Sequence, residues 1–543
     1  MFRIVLLLDS LEVSAWVWEA VFQIRQAKNA KIVLAVLNQS PKASGKKSPF
    51  LYRTYRWVDR KLFLKHPDAF AKKNLKNIPG WEVPEFSTLP IQKPYSDYFD
   101  PESLEQIKAY KPDILIRFGF RILRGEILKL APLGVWSYHH GDPSYYRGGP
   151  PAFWEVIHRQ EVTGVVLQQL TEKLDEGKVL YRSWLQTDPL SVQRNANKVF
   201  WTSSFFIGRV LKEIQALGLE NWQKKIEEDQ ERTTIQAPLL KPPGFFVMCK
   251  AWLELVLRNA TRKISEERKK PHWSLTFTSG TLLSVLTEPK LPFQEIQPPA
   301  GKLSKGSFWA DPFPLEVNGK IWVFYEEFDY PSQKGKIGVG CWNGNSLEGS
   351  KIILEEPWHL SYPFLWEEEG QVYLIPESGE SGNLWLYRAM DFPHKWEKVG
   401  LFFPGEAYDP TLLKWEDRYW LFVNRKAHEG SSPFVELYAY YSDSLIHPEW
   451  KAHALNPIVS DVRSSRPAGN FFHKEGKWYR PAQDSGKRYG YQIKIQEIIE
   501  LSPKSFQEKT VQILSPDERS GELGRHTLNF TKTLVFSDAY SRK

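Results

Sequence analysis

Hydrophobic positions split this chain into two halves with different periods. Near the N-terminus the apolar run MFRIVLLL stops at Asp9. It is too short for a secretory signal and predicts a first buried strand. PDILIRFGFRIL, Pro112 to Leu123, predicts another buried strand running out into a loop. The segment closest to a membrane span is GFFVMCKAWLELVLRNA, Gly244 to Ala260, but Lys250 and Glu254 interrupt it. Its spacing predicts an amphipathic helix, and no run reaches the roughly 18 uninterrupted apolar residues that a spanning helix requires. From about Trp273 the pattern changes to short strands rich in Trp, Tyr and Phe with recurring turn signals, the mark of an all-β domain.

That second half repeats. ADPF (Ala310 to Phe313), SYPF (Ser361 to Phe364), YDPT (Tyr408 to Thr411) and SRPA (Ser465 to Ala468) align on prolines 312, 363, 410 and 467. Each is followed by a turn and an aromatic strand: NGKIWVFYEE from Asn318, EGQVYLIPES from Glu369, EDRYWLFVNR from Glu416 and EGKWYRPAQD from Glu475. Spacings of 51, 47 and 57 residues suit propeller blades. A fifth unit around RHTLNF (Arg525 to Phe530), paired with HWSLTF (His272 to Phe277), would put both ends of the domain in one blade. Five blades are predicted.

Inner strands of a propeller converge on a central channel. The residues before the four prolines are Asp311, Tyr362, Asp409 and Arg466, and the equivalent places further along are Glu326, Glu377, Asn424 and Gln483. With His526 of the fifth unit, these predict a polar channel in strands otherwise crowded with aromatics. Carboxylates there suit acid/base chemistry on a sugar; they suit equally the capping of strand ends by hydrogen bonds to backbone amides.

Composition adds scale and charge. At 543 residues and 42% hydrophobic, two or three cores are expected, read as 1–205, a basic helical connector 206–271, and 272–543. Cys249 and Cys341 cannot build a disulfide framework, and no spacing suggests zinc, so no metal is expected and a reducing cytoplasm fits best. The formal net charge is +8, and Lys241 to His272, with eight Lys/Arg against three Glu, supplies +5 of it. A basic amphipathic helix can lie on an anionic membrane surface, so peripheral contact through 244–270 at the inner face of a membrane is one expectation. An interdomain helix with a solvated basic face is the favoured one.

The candidate chemistry lies in GVWSYHHGDPSYYRGG (Gly134 to Gly149) and LTEKLDEGKVL (Leu170 to Leu180). Together they supply a histidine and a carboxylate for proton transfer. The motifs Ser137-Tyr138-His139, Tyr146-Arg147-Gly148 and Leu174-Asp175-Glu176-Gly177, behind the Pro112–Leu123 strand, resemble the folate-dependent formyltransferase family over roughly the first 200 residues. The interval of 36 residues from His139 to Asp175 fits that family. Ser137 departs from it, standing where the family carries Asn.

The resemblance implies an α/β domain with a Rossmann-like, mostly parallel sheet and 10-formyltetrahydrofolate as donor. It implies His139 as the proton-exchanging group, Asp175 as its support and Ser137 or backbone amides as the oxyanion donors. Phe120, Arg121, Ile122, Leu123, Leu170, Thr171 and Leu174 would meet the folate. His140, Asp142, Tyr146 and Arg147 would meet the acceptor. Losing one oxyanion donor costs roughly 10²–10³ in rate, so Ser137 bears on whether activity is retained; His140 or Asp142 could compensate. Family members that formylate initiator tRNA carry a small β-barrel after the catalytic domain, and nothing after Ile235 resembles one, so nucleic acid is not an expected partner.

The repeats resemble the five-bladed furanosidase-like propellers of glycoside hydrolases, and more closely the module beside plant glycosyltransferases that modify glycosyl inositol phosphorylceramides. An amino sugar, nucleotide-linked or in a surface glycan, is then the expected formyl acceptor. The alternatives are a glycan-binding or glycan-cleaving propeller whose formyltransferase fold is repurposed, and a noncatalytic assembly factor for polysaccharide enzymes. Oligomeric state is left open.

Overall fold

The computed structural model describes residues 1–41, 48–173, 176–231, 237–268, 271–288, 290–298 and 307–542. It divides into two compact units, Met1–Arg262 with Ala427–Ser432, and Lys263–Lys426 with Pro433–Lys543.

The first unit is built on a seven-stranded sheet. Its strands in chain order are β1 (Phe2–Leu8), β2 (Ala30–Asn38), β3 (Glu85–Thr88), β4 (Ile114–Arg117), β5 (Val135–His139), β6 (Val162–Gln169) and β7 (Lys178–Gln186). Across the sheet they run β7-β6-β5-β4-β1-β2-β3. The pairs from β5 to β3 are parallel, while β6 and β7 add an antiparallel edge. Ile4 to Leu7 and Ile114 to Ile116 are fully buried, as continuous apolar runs must be in a parallel sheet covered on both faces.

Its helices include α1 (Ala15–Gln26), α2 (Phe50–Phe63), α3 (Val192–Ser203), α4 (Phe206–Leu217) and α5 (Phe245–Arg268). α1 and α4 lie against each other, and α4 buries Phe206, Ile207, Val210 and Leu211 completely. Arg117 ends β4 and His139 ends β5, which places both at the carboxyl edge of parallel strands, where open α/β sheets bind ligands.

The second unit is a five-bladed propeller of antiparallel sheets. Four blades start at Ser307, Ser361, Tyr408 and Arg466. The fifth joins both ends of the domain, in the order Gln294–Glu295, Pro271–Ser279, Leu534–Arg542, Leu528–Phe530. One detail differs from the sequence expectation. The first strand, with His272 to Phe277, pairs with Leu534–Arg542 and not with the RHTLNF segment, because Thr531 to Thr533 fold Leu528–Phe530 back onto that final strand as a hairpin. Leu528 N donates to Ala468 O of the preceding blade at 2.7 Å.

Local backbone chemistry explains the repeat. Asn318-Gly319, Glu369-Gly370 and Glu475-Gly476 have positive φ at both residues, the geometry of two-residue hairpin turns whose twist matches the strands. Asp311, Tyr362 and Asp409, each before its proline, also sit at φ +51°, +44° and +47°, and in all three blades the register slips at that place. Such bulges re-aim a side chain. Three non-glycine residues held left-handed at equivalent positions mark strain concentrated where function is expected.

Within the blade that starts at Ser307, Tyr325 lies opposite Gly338, whose absent Cβ would stand 2.5 Å from the tyrosine ring. Tyr325 is fully buried, so the ring cannot move aside freely. Gly338→Ala should cost about 1–3 kcal/mol from overpacking, read as a lower denaturant midpoint for the propeller; an unchanged midpoint would refute this packing account.

Candidate functional site

At the carboxyl edge of β4 and β5 a cavity of about 100 Å³ is lined by Arg117, Ile122, Leu123, Arg124, Tyr138, His139, Gln168, Leu170, Thr171 and Lys173. His139 Nε2 lies 3.2 Å from Tyr146 O; a carbonyl only accepts, so in this arrangement Nε2 carries the proton. Ser137 is buried and its hydroxyl accepts from Arg117 Nε at 3.0 Å, while Arg117 Nη1 donates to Arg121 O at 2.7 Å. The guanidinium is thereby aimed along the cavity wall beside the histidine. Sequence reasoning did not single out Arg117, because its place depends on β4 lying next to β5.

The loop between Arg117 and Arg124 is built around carboxylates. Asp9 Oδ1 accepts from Phe120 N at 2.7 Å, and Asp97, with no exposure, takes Arg121 through both backbone and side chain at 2.7–2.8 Å. Phe120 stands at φ +62° and its ring packs on Phe99, centroids 5.2 Å apart. Of the folate-loop candidates, Ile122, Leu123, Leu170 and Thr171 reach the cavity wall, whereas Phe120 and Arg121 hold the loop in shape. Leu174 and Asp175 lie outside the described residues. Beside them, Thr171 Oγ1 donates to Lys173 O and Glu176 O, both at 3.3 Å.

The four acceptor candidates do not line this cavity. His140 stacks on Phe200 with ring centroids 3.6 Å apart and meets Ser203 Oγ at 3.1 Å; burial, helped by neighbouring His139, pushes its pKa down to about 3, so it stays neutral and packs. Asp142 is buried, accepting from Trp184 Nε1 at 3.1 Å and Ser144 N at 3.0 Å. It fastens the loop, as a carboxylate with backbone donors does. Tyr146 OH meets His158 Nδ1 at 3.2 Å, and Arg147 lies 3.7 Å from Glu176.

In the propeller, the predicted channel residues are buried and fall mainly into two clusters, one around Arg466 and one around Asp311 and His526, while Glu326 lies 3.6 Å from His359. Arg466 bonds Asp409 through Nε and, at 2.9 Å, through Nη2, which also lies 3.4 Å from Glu377 Oε2. Gln483 Nε2 donates to the same Asp409 at 3.1 Å. The Arg466 guanidinium stands over the rings of Phe434, at 4.7 Å, and Tyr489, at 5.0 Å. Asp311 accepts from Thr527 Oγ1 at 2.5 Å and Tyr362 N at 3.1 Å. His526 Nδ1 lies 2.6 Å from Asp538 and 3.5 Å from Asp311. These three donors could hold an ion, but the short His526–Asp538 contact already joins two of them through a proton. Asp538, on the closing strand, carries no repeat signature and was missed.

Burial governs the protonation here. It raises Glu326 and Glu377 well above their ordinary range, with carboxylate neighbours adding to it, and lifts Asp311 to about 6. Burial works against the His526 imidazolium, yet Asp538 and Asp311 outweigh it and raise that pKa.

Comparison with known proteins bears on both units. Residues 58–197 match the family described as formyl transferase, and residues 298–531 match that described as glucosamine inositolphosphorylceramide transferase 1, N-terminal. A formyl transferase domain and a region of that second family share this chain. Glucosamine inositolphosphorylceramide transferase 1 of Arabidopsis thaliana is 34% identical over 220 residues, 40% of this chain and 29% of that protein. Methionyl-tRNA formyltransferase of Desulfotalea psychrophila is 36% identical over 118 residues, 22% of this chain and 36% of that protein. The chain thus spans about three tenths of the length of the plant relatives it matches. Among solved structures, a family 117 glycoside hydrolase of Zobellia galactanivorans aligns over 49% of this chain and 91% of its own, at 13% identity and a TM-score of 0.34.

Two outcomes test the network. Arg466→Met leaves the buried Asp409 without the cation it is paired to and should cost about 3–5 kcal/mol near neutral pH; equilibrium unfolding measures it. For Glu326 the native state keeps a proton that the unfolded chain releases near 4.5, so its contribution is lost as pH rises above that value. Glu326→Gln should therefore raise Tm at alkaline pH and leave it unchanged near pH 4; equal shifts at both would contradict this assignment.

Proposed function

We propose that the formyl transferase domain moves a formyl group from 10-formyltetrahydrofolate to the amine of an amino sugar, and that the propeller binds the carbohydrate bearing it. The observation that carries the reading is the single cavity that gathers His139 and Arg117 with both segments matching the family's folate loops, Ile122–Leu123 and Leu170–Thr171. At about 30 Å³ per water it has room for the reacting end of a donor and not for a whole folate, which would extend beyond it.

The acceptor nitrogen attacks the formyl carbon, the bond from that carbon to the folate nitrogen breaks, and one proton passes from the amine to the leaving nitrogen. His139 relays that proton, with Asp175 supporting it as the resemblance implies. The formyl oxygen gains negative charge during the attack. Arg117, held by Ser137 and Arg121 O, meets that charge in place of the side-chain amide the family uses, and a preorganised cation suits the task better than the shorter serine hydroxyl. The plant relatives of the propeller region are named for glucosamine and inositolphosphorylceramide, which supports an amino-sugar acceptor, in lipid or nucleotide linkage. The amine must arrive neutral, so turnover falls toward acid pH.

Tetrahydrofolate release from 10-formyltetrahydrofolate, with a panel of nucleotide-linked and lipid-linked amino sugars, tests this. Acceptor-dependent release is expected from the wild type and none from His139→Ala. Arg117→Leu should lower kcat by roughly 10²–10³ with a smaller change in KM. Asp311→Asn should raise only the acceptor KM. If Asp311→Asn abolishes turnover of a glycan while His139→Ala does not, the chemistry belongs to the propeller.

A further inference from the structure

α5 is apolar on two faces. One faces its own unit: Met248, Ala251 and Leu255 are buried against Tyr55, Phe153, Val156 and Val192. The other is left exposed by the described residues. Phe246 is 85% exposed, Phe245 62%, Leu253 61%, and Val256 and Leu257 54% each. Cys249 and Ala260 are exposed with them. The steps from 246 to 249, 253, 256 and 260 are three or four residues, so these side chains form one stripe along the helix. A stripe of this length on a water-facing surface signals an interaction site.

Charge identifies the occupant. Lys250 borders the stripe, and Glu254 is the one carboxylate between Phe245 and Arg262. It is tied to Arg258 at 3.1 Å and Arg159 at 3.5 Å, so between Phe245 and Arg262 the one negative charge is already paired. Arg262, Lys263, Arg268, Lys269 and Lys270 follow in sequence, with Glu266 and Glu267 among them, so the segment stays net basic. α2 packs beside α5 through Tyr55 and Trp252, ring centroids 5.8 Å apart, and it too exposes Phe50 and Trp57, at 79% and 58%. Lys61 Nζ stands 4.2 Å over the Trp57 ring, an apolar body with a charged tip, as side chains at a membrane interface present themselves. Two copies meeting on this stripe would bring their basic residues together.

We propose that the outer face of α5, with Phe50 and Trp57 of α2, docks the protein on the surface of an anionic bilayer. The aromatic and aliphatic side chains enter the boundary between headgroups and acyl chains, and the lysines and arginines engage lipid phosphates. This does not depend on which acceptor the formyl transferase domain takes.

Co-sedimentation of the full chain with vesicles of phosphatidylcholine, alone or mixed with phosphatidylglycerol, tests it. The wild type should pellet with the anionic vesicles and stay in solution with the neutral ones, and high salt should weaken the binding. Phe246→Glu and Leu253→Glu change exposed positions, so circular dichroism and Tm should match the wild type while the protein remains in the supernatant. Lys250→Glu should weaken partitioning roughly tenfold. The proposal is overturned if the wild type ignores both vesicle types. It is overturned equally if light scattering shows a dimer that Phe246→Glu dissociates, for the stripe then joins two copies.

Discussion

A charge taken out of water must be matched where it lies, and that requirement organises both units. An isolated buried ion costs several kcal/mol, so a guanidinium inside a fold is fixed by whichever oxygens surround it. Arg466 is the clearest case: it draws Asp409, Glu377 and, through Asp409, Gln483 toward one point, and two aromatic rings close over it. The residues come from three blades, so the ion pairs also bind those blades together. In the first unit Asp97 does the reverse: a carboxylate without exposure holds Arg121, and the loop it shapes presents Ile122 and Leu123 to the cavity.

The two halves use charge differently. Around the propeller axis the carboxylates outnumber the cations, and the surplus is accommodated by protons that Glu326, Glu377 and Asp311 keep at pH values where a solvated acid would have lost them. Groups with displaced affinities in one place are a feature of sites that handle ligands. In the formyl transferase domain the cation Arg117 sits at the carboxyl edge of a parallel sheet and lines the same cavity as His139, with the Ser137 hydroxyl and the Arg121 carbonyl among its partners.

Much of this was legible from local chemistry. Prolines 312, 363, 410 and 467 and the turns Asn318-Gly319, Glu369-Gly370 and Glu475-Gly476 announced the blades, because hairpin geometry is decided by two residues and needs no distant partner. Ile122, Leu123, Leu170 and Thr171, named from motif order, line one cavity. Other features depend on contacts that no local pattern encodes. His140 follows the histidine of the motif, yet Phe200, sixty residues on, takes it into the packed interior. Arg117 acquires its role only when β4 lies beside β5, and Asp538 only when the last strand returns to the first. The apolar pattern of α5 predicted a helix, but which of its two apolar faces would be covered depends on where Tyr55 and Phe153 come to lie.

That last strand sets the order of events during synthesis. Pro271–Ser279 emerges from the ribosome more than 250 residues before Leu534–Arg542, its partner in the sheet. At ordinary elongation rates tens of seconds separate the two, during which the first propeller strand waits with one edge unpaired. Long-range pairing of this kind is slow and leaves strands open to wrong partners. The propeller can acquire its closed blade only after residue 542 is made, so a truncated product would carry an exposed sheet edge, a form that chaperones and proteases readily recognise.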